Sequence, residues 1–387
     1  MRLDTNINEL KNATSLCLRC LVCTYGKWPE NYPLCPIYQY HRVYTASPGG
    51  LIYLVQALAN NWTGCTSTMA NFAYECSTCE ACDMCEIIPL IPPHVSPSDI
   101  IRFLRYQVAK QGLIPDGIKE VYQQVKESGD YLEKPVSLEI PEELRDDHAD
   151  TVLFVECFHS EGQRKIYESA IRLLEKIGKA VTMFNNDGGS CGASLYDLGF
   201  WDELSRLMGK RAEQMKKLDG KEVVFIDPHC QEFMVKKYPQ IQPRAPKIMG
   251  RHFSELLVDA FKDGKLSVQK KQNIRVSYHD PCHLGRGLGI YEAPRDILSF
   301  LGVEMVEMER NREDSYCCGA GGIVTSQAFP DFSSWVAMQR IREFRQTGAD
   351  LLITSCPYCK DTLQKVLSVE DRNRVKDLIE IVYEWTS

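Results

Sequence analysis

A repeat written in cysteines limits the possible folds more than any other feature. Cys157 and Cys282 each close a short apolar run, 125 positions apart. "SCG" at Ser190–Gly192 matches "CCG" at Cys317–Gly319 at an offset of 127, and "DPHC" at Asp227–Cys230 matches "CPYC" at Cys356–Cys359 at 129. Three landmarks at nearly constant offset mark a duplication. Between them, "TVLFVEC", "AVTMF" and "EVVFID" predict strands in the first copy, and "IRVSYHD", "VEMVEM" and "DLLITSC" in the second. Amphipathic stretches over 164–179, 200–217, 294–301, 329–346 and 358–367 predict helices between and after them. Strands alternating with helices imply an α/β chain with parallel sheets and helices on their faces.

The first eighty-five residues carry a different cysteine pattern. "CLRCLVCTYGKWPENYPLCP" places Cys17, Cys20 and Cys23 at two-residue spacing, with Cys35 and Pro36 further on; "CSTCEACDMC" supplies Cys76, Cys79, Cys82 and Cys85. The C-x2-C-x2-C-x3-C-P run of bacterial ferredoxins lends its fourth cysteine to the other cluster. Both copies here are altered: Cys35 follows after eleven residues but keeps its proline, and Cys85 comes one residue early. The crossover rule predicts one cubane [4Fe-4S] cluster on Cys17, Cys20, Cys23 and Cys85, and a second on Cys76, Cys79, Cys82 and Cys35. Four-cysteine zinc sites use similar C-x-x-C pairs, but triplets completed by a C-P step are the cluster signature. Cys65 fits neither set and reads as a small core residue. "PGGLIYLVQALANN" and "SPSDIIRFLRYQVAKQG" read as helices, so this domain, 1–112, is expected to be α-helical. A polar linker with one helix is expected over 113–150, then two lobes, 151–270 and 271–387.

Seventeen cysteines in 387 residues would suit a disulfide framework in a short secreted chain. Here the opening "MRLDTNINELKNATS" lacks a basic-then-apolar leader pattern. No apolar stretch approaches the roughly 20 residues of a membrane helix. A cytoplasmic protein without direct membrane insertion is expected, with its thiols reduced and available to metal. The net charge of −7, without a basic stripe, argues against nucleic acid.

In open α/β sheets, ligands bind beyond the carboxyl ends of strands. Cys282, Cys317, Cys318, Cys356 and Cys359 are all expected there, converging on one point. Adjacent residues of an extended strand face opposite ways, so Cys317 and Cys318 can share a centre only if the chain turns sharply. Gly319, Gly321 and Gly322 supply that freedom.

"HDPCHLGR", "YCCGAGG" and "SCPYC" together resemble the cysteine-rich CCG domain of heterodisulfide reductases and related iron–sulfur subunits. The resemblance extends over nearly the whole chain, since that family also joins a helical two-cluster ferredoxin domain to two CCG repeats. It implies Rossmann-like lobes and a noncubane [4Fe-4S] cluster on the five cysteines. It also implies an oxidoreductase subunit that relays electrons between two cubane clusters and the noncubane one. Partners would be flavin, iron–sulfur or catalytic subunits, as in the heterodisulfide-reductase-like subunit of tungsten-dependent benzoyl-CoA reductase complexes. The alternative is a thiol–disulfide reductase binding substrate sulfur at the noncubane cluster.

The first lobe departs from the family pattern, because Ser190 and Asp227 stand where thiols belong. Cys157, Cys191 and Cys230 are then an empty relic, a zinc site completed by Asp227 or His229, or an atypical cluster or pocket. "GAGG" lacks the context of a dinucleotide fingerprint. His279 and His283 flank Cys282 and are either outer donors to a cluster or strand-end caps; His252 reads as structural.

Overall fold

The computed structural model describes residues 1–29, 32–90, 94–128, 141–146, 148–155, 160–184, 190–243, 245–269 and 272–386. Packing divides the chain into two units. One comprises Met1–Tyr131 with Gly192–Met208 and Gly319–Val336; the other comprises Leu132–Cys191, Gly209–Cys318 and Ala337–Ser387. The segments just after the "SCG" and "CCG" steps thus cluster with the amino-terminal helices.

The first unit is helical. Its helices Pro48–Ala59 and Pro97–Lys110 start alike: proline occupies the first turn and a serine caps it. Ser47 Oγ accepts from Gly50 N at 3.0 Å, and Ser96 Oγ from Asp99 N at 3.2 Å. Gly50 cannot carry a side chain, since a Cβ there would lie 2.0 Å from the Tyr44 carbonyl oxygen. The Pro97–Lys110 helix is buried through most of its length, and with Ile100, Ile101, Phe103 and Leu104 it also buries Arg102 and Arg105. Asp116–Ser128 is the helix expected in the linker.

The second unit holds two four-stranded parallel sheets, ordered β2-β1-β3-β4 and β6-β5-β7-β8. The first sheet consists of β1 Thr151–Phe154, β2 Thr182–Phe184, β3 Glu222–Phe225 and β4 Met249–His252. The second consists of β5 Arg275–His279, β6 Glu304–Met305, β7 Leu351–Thr354 and β8 Val375–Asp377. Central strands are buried along almost their whole length, as parallel strands covered on both faces must be. One apolar core runs through Leu153, Val224, Leu257, Val276, Ile297, Ile353, Leu378 and Ile381.

Three expectations need correction. Each sheet has a fourth strand, β4 or β8, that its sequence did not announce. "VEMVEM" contributes only the two residues of β6, although Val306 N still bonds the Val276 carbonyl at 2.8 Å. Cys65 is only half-buried rather than a core residue.

Candidate metal centres

In the helical unit, Cys17, Cys20, Cys23 and Cys85 line one cavity of about 340 Å³. Cys35, Cys76, Cys79 and Cys82 line a second, of about 20 Å³, whose wall also includes Cys23. The cysteine loops around them are built alike. Arg19 and Leu21 take φ of 55° and 61°, the second and fourth residues after Cys17; Thr78 and Glu80 take 44° and 64°, the second and fourth after Cys76. Left-handed backbone costs a non-glycine residue about 1–2 kcal/mol. Four such residues in two matching loops are strain that a ligand would justify, because this winding turns successive thiols and N–H groups inward.

The two cavities differ in exposure. Cys20 is exposed and Cys17, Cys23 and Cys85 are half-buried, whereas in the second set Cys35, Cys79 and Cys82 are buried and Cys76 is half-buried. Burial, then the neighbouring Cys17, pushes the Cys23 thiol up to about 12. Burial likewise holds Cys35 and Cys82 well above the ordinary thiol value. Such thiols stay protonated by themselves, and a metal must release their protons as it binds. Sulfur donors in two sets of four, on strained inward-winding loops, fit iron–sulfur clusters.

In the second lobe the chain turns after Cys318 through Gly319, Gly321 and Gly322, at φ of 90°, 60° and 55°. A Cβ on Gly319 would stand 2.7 Å from the Ser333 carbonyl oxygen, so the turn requires glycine. Cys356 caps the helix Pro357–Lys365, which carries Cys359 in its first turn. Hydrogen bonds with Cys318 and Cys356, then burial, raise the Cys359 thiol well above its usual value, so these three sulfurs lie together. Cys317 is buried beside Cys318, while the half-buried Cys282 faces His283.

His279, the last residue of β5, joins this group. Its imidazole, Cys318 and Cys359 present ligand atoms within 4.8 Å of one another. Arg340 Nε donates to His279 Nδ1 at 3.0 Å, so the proton of the neutral ring sits on Nε2. Burial, then the Arg340 charge, keeps the ring pKa well below its ordinary value. Nε2 is buried without a hydrogen-bond partner among the described residues. An orphaned donor beside clustered thiols fits an anionic sulfur-rich group. His283 is set differently: its Nδ1 lies 2.6 Å from Glu232 Oε2, and its ring centre 4.6 Å from that of His229. Burial opposes charge on His283, but Cys282 and Glu232 hold its pKa well above the usual value.

The first-lobe residues are placed in part. The Cys191 and Cys230 sulfurs are 3.0 Å apart and both buried. Cys157 lies outside the described residues. Asp227 caps the helix that carries Cys230, its Oδ1 accepting from His229 N at 3.0 Å, which gives the carboxylate a structural role where the second lobe has Cys356. Sequence reading missed Arg105, Glu232 and Arg340, all buried charges that a pattern of helical polar positions does not distinguish from surface ones.

The cysteine-rich domain (CCG) family matches residues 151–234 and 276–364. The chain is 32% identical over 296 residues to a dihydromethanophenazine:CoB–CoM heterodisulfide reductase subunit from Methanosarcina mazei, covering 73% of this chain and 71% of that one. It is 26% identical to EtfAB:quinone oxidoreductase of Syntrophomonas wolfei over 57% of this chain and 32% of that protein. A hypothetical protein from Helicobacter pylori shares the fold alone, with a TM-score of 0.52 at 10% identity over 88% of this chain and 68% of that one. The chain belongs to the CCG-domain iron–sulfur oxidoreductases of the heterodisulfide reductase type. None of its described helices is long and apolar enough to cross a membrane.

Proposed function

We propose that the chain is the electron-transfer subunit of a heterodisulfide-reductase-like complex, cytoplasmic, with other subunits supplying its electron donor and acceptor. Cys17, Cys20, Cys23 and Cys85 hold one cubane [4Fe-4S] cluster, and Cys76, Cys79, Cys82 and Cys35 a second. Cys282, Cys317, Cys318, Cys356 and Cys359 would hold a noncubane [4Fe-4S] cluster, with His279 as an outer hydrogen-bond donor beside it. Bound clusters supply one-electron redox chemistry; the chain's residues fix their spacing, exclude water and set the local charge. The observation that carries this reading is the shared wall of the two amino-terminal cavities: Cys23 borders both, so centres held there stand within a short electron step.

Similarity to the Methanosarcina mazei heterodisulfide reductase chain also supports a second reading, a thiol–disulfide reductase acting at the five-cysteine site. Ser190 and Asp227 weigh against a paired-cluster version of that chemistry. The isolated, cluster-loaded chain is predicted to be inert toward a small disulfide with an artificial electron donor until a partner subunit is added. Turnover by the chain alone selects the reductase.

A further inference from the structure

Arg102 and Arg105 lie one turn apart on the Pro97–Lys110 helix, 2% and 0% exposed, and their partners differ in kind. Arg102 is matched by three carboxylates: its Nε donates to Asp197 Oδ1 at 2.6 Å, its Nη1 to Asp99 Oδ1 at 3.3 Å and its Nη2 to Glu80 Oε1 at 3.2 Å. Arg105 donates to backbone carbonyls, to Ala73 O at 2.8 Å, Asp197 O at 2.6 Å and Cys76 O. Its guanidinium also stands 5.4 Å from the centre of the Tyr74 ring. Asp197, whose field reaches Arg105, already has its carboxylate bonded to Arg102.

A buried cation is costly unless an anion faces it. Arginine keeps its charge in proteins, so it cannot escape by losing a proton. The inner cysteine stretch meets Arg105 at Cys76, whose carbonyl accepts from the Arg105 Nη2, so the negative charge that answers this cation is that of a centre held by the set to which Cys76 belongs. The geometry points to Arg105 as the fixed counter-charge of the inner cysteine set, Cys35, Cys76, Cys79 and Cys82, where it favours the more negative, reduced state of the cluster held there. This inference rests on the two-cubane reading above.

The consequence is directional. Reduction adds negative charge, and burial penalises that charge more at the inner set than at the outer one, where Cys20 meets solvent. Left to burial alone, an electron would favour the outer site. Arg105 opposes that bias without moving. At the outer set the neighbouring cation is Arg19, which is exposed and rests on the Tyr53 ring at 4.3 Å. Arg105 is a positioning residue for charge and ligates nothing.

The test is a redox titration of the full, cluster-loaded chain monitored by electron paramagnetic resonance, with iron content measured in parallel. The inner signal is the one that Cys79→Ser removes. Arg105→Gln keeps hydrogen-bond donors for the carbonyls and removes the charge; Arg105→Lys keeps the charge. The glutamine variant is expected to move the inner midpoint at least tenfold toward the oxidised form, about 59 mV for one electron, and leave the outer midpoint in place. The lysine variant is expected to stay near wild type. Loading of the lysine variant alone also supports the need for charge. Equal shifts in both variants, no shift in either, or loss of loading in both would overturn it and leave Arg105 a purely structural cap. A wild-type chain without two cubane signals defeats the underlying cluster assignment instead.

Discussion

Arg340 donates its Nε–H to Nδ1 of His279 at 3.0 Å, and that bond decides which nitrogen of the buried imidazole carries the proton. Nε2–H is left without a hydrogen-bond partner among the described residues, on a ring that brings one nitrogen within 4.8 Å of the Cys318 and Cys359 sulfurs. Outer hydrogen-bond partners of this kind typically change metal affinity or activity roughly 10–100-fold when lost. His279→Leu is therefore expected to weaken retention of the second-lobe centre on that scale and to shift its midpoint, with both amino-terminal signals unchanged. A titration in which only the amino-terminal signals move would contradict the assignment.

Cys318 is hydrogen-bonded with Cys359 and belongs to a different unit from the amino-terminal cysteines. Cys318→Ser should remove one paramagnetic signal and keep the two ferredoxin-type signals. If all of them vanish together, the sites do not form independently.

Cys191 and Cys230 touch at 3.0 Å, but Ser190 and Asp227 replace two thiols of the pattern around them. Iron content is expected to be the same in Cys191→Ser as in the wild-type chain. A loss of roughly four irons, one cluster's worth, would show an occupied first lobe.

His252 gives a pH dependence of its own. It caps the helix Phe253–Lys262, with Nδ1 accepting from Ser254 N at 3.2 Å and Nε2 3.2 Å from the Ile226 carbonyl. Burial lowers its pKa to about 4 from an ordinary 6.5. The unfolded chain thus takes up a proton below about pH 6.5 while the native chain resists until about 4. The associated stability is intact above pH 6.5 and is lost as pH falls toward 4, to a total of roughly 3 kcal/mol. His252→Asn, which retains a capping side chain, should flatten the loss of urea resistance between pH 6.5 and 4. Parallel pH curves for the two proteins would refute this.

What the sequence disclosed follows from which signals are local. Strands β1, β3, β5 and β7 are apolar runs that need burial on both faces, a signal each run carries by itself. β4 is "MGRH" and β8 is "VKD", edge strands without an apolar run. They exist because Phe225 pairs with His252 and Thr354 with Asp377, a tertiary cause that no local pattern carries. Spacing grouped the cysteines that line the two amino-terminal cavities. The charges beside them were not legible: Arg105 sits on an amphipathic helix as a surface residue would in sequence, and only the carbonyls of Ala73, Cys76 and Asp197 reveal it as buried. Glu232 and Arg340 gain meaning only from His283 and His279.

The most direct measurement is iron and acid-labile sulfide per chain, with zinc counted alongside, in protein purified without oxygen. Three [4Fe-4S] centres predict a brown protein with about twelve irons. Four irons or fewer, or zinc in their place, would contradict three sulfur-held clusters in this chain.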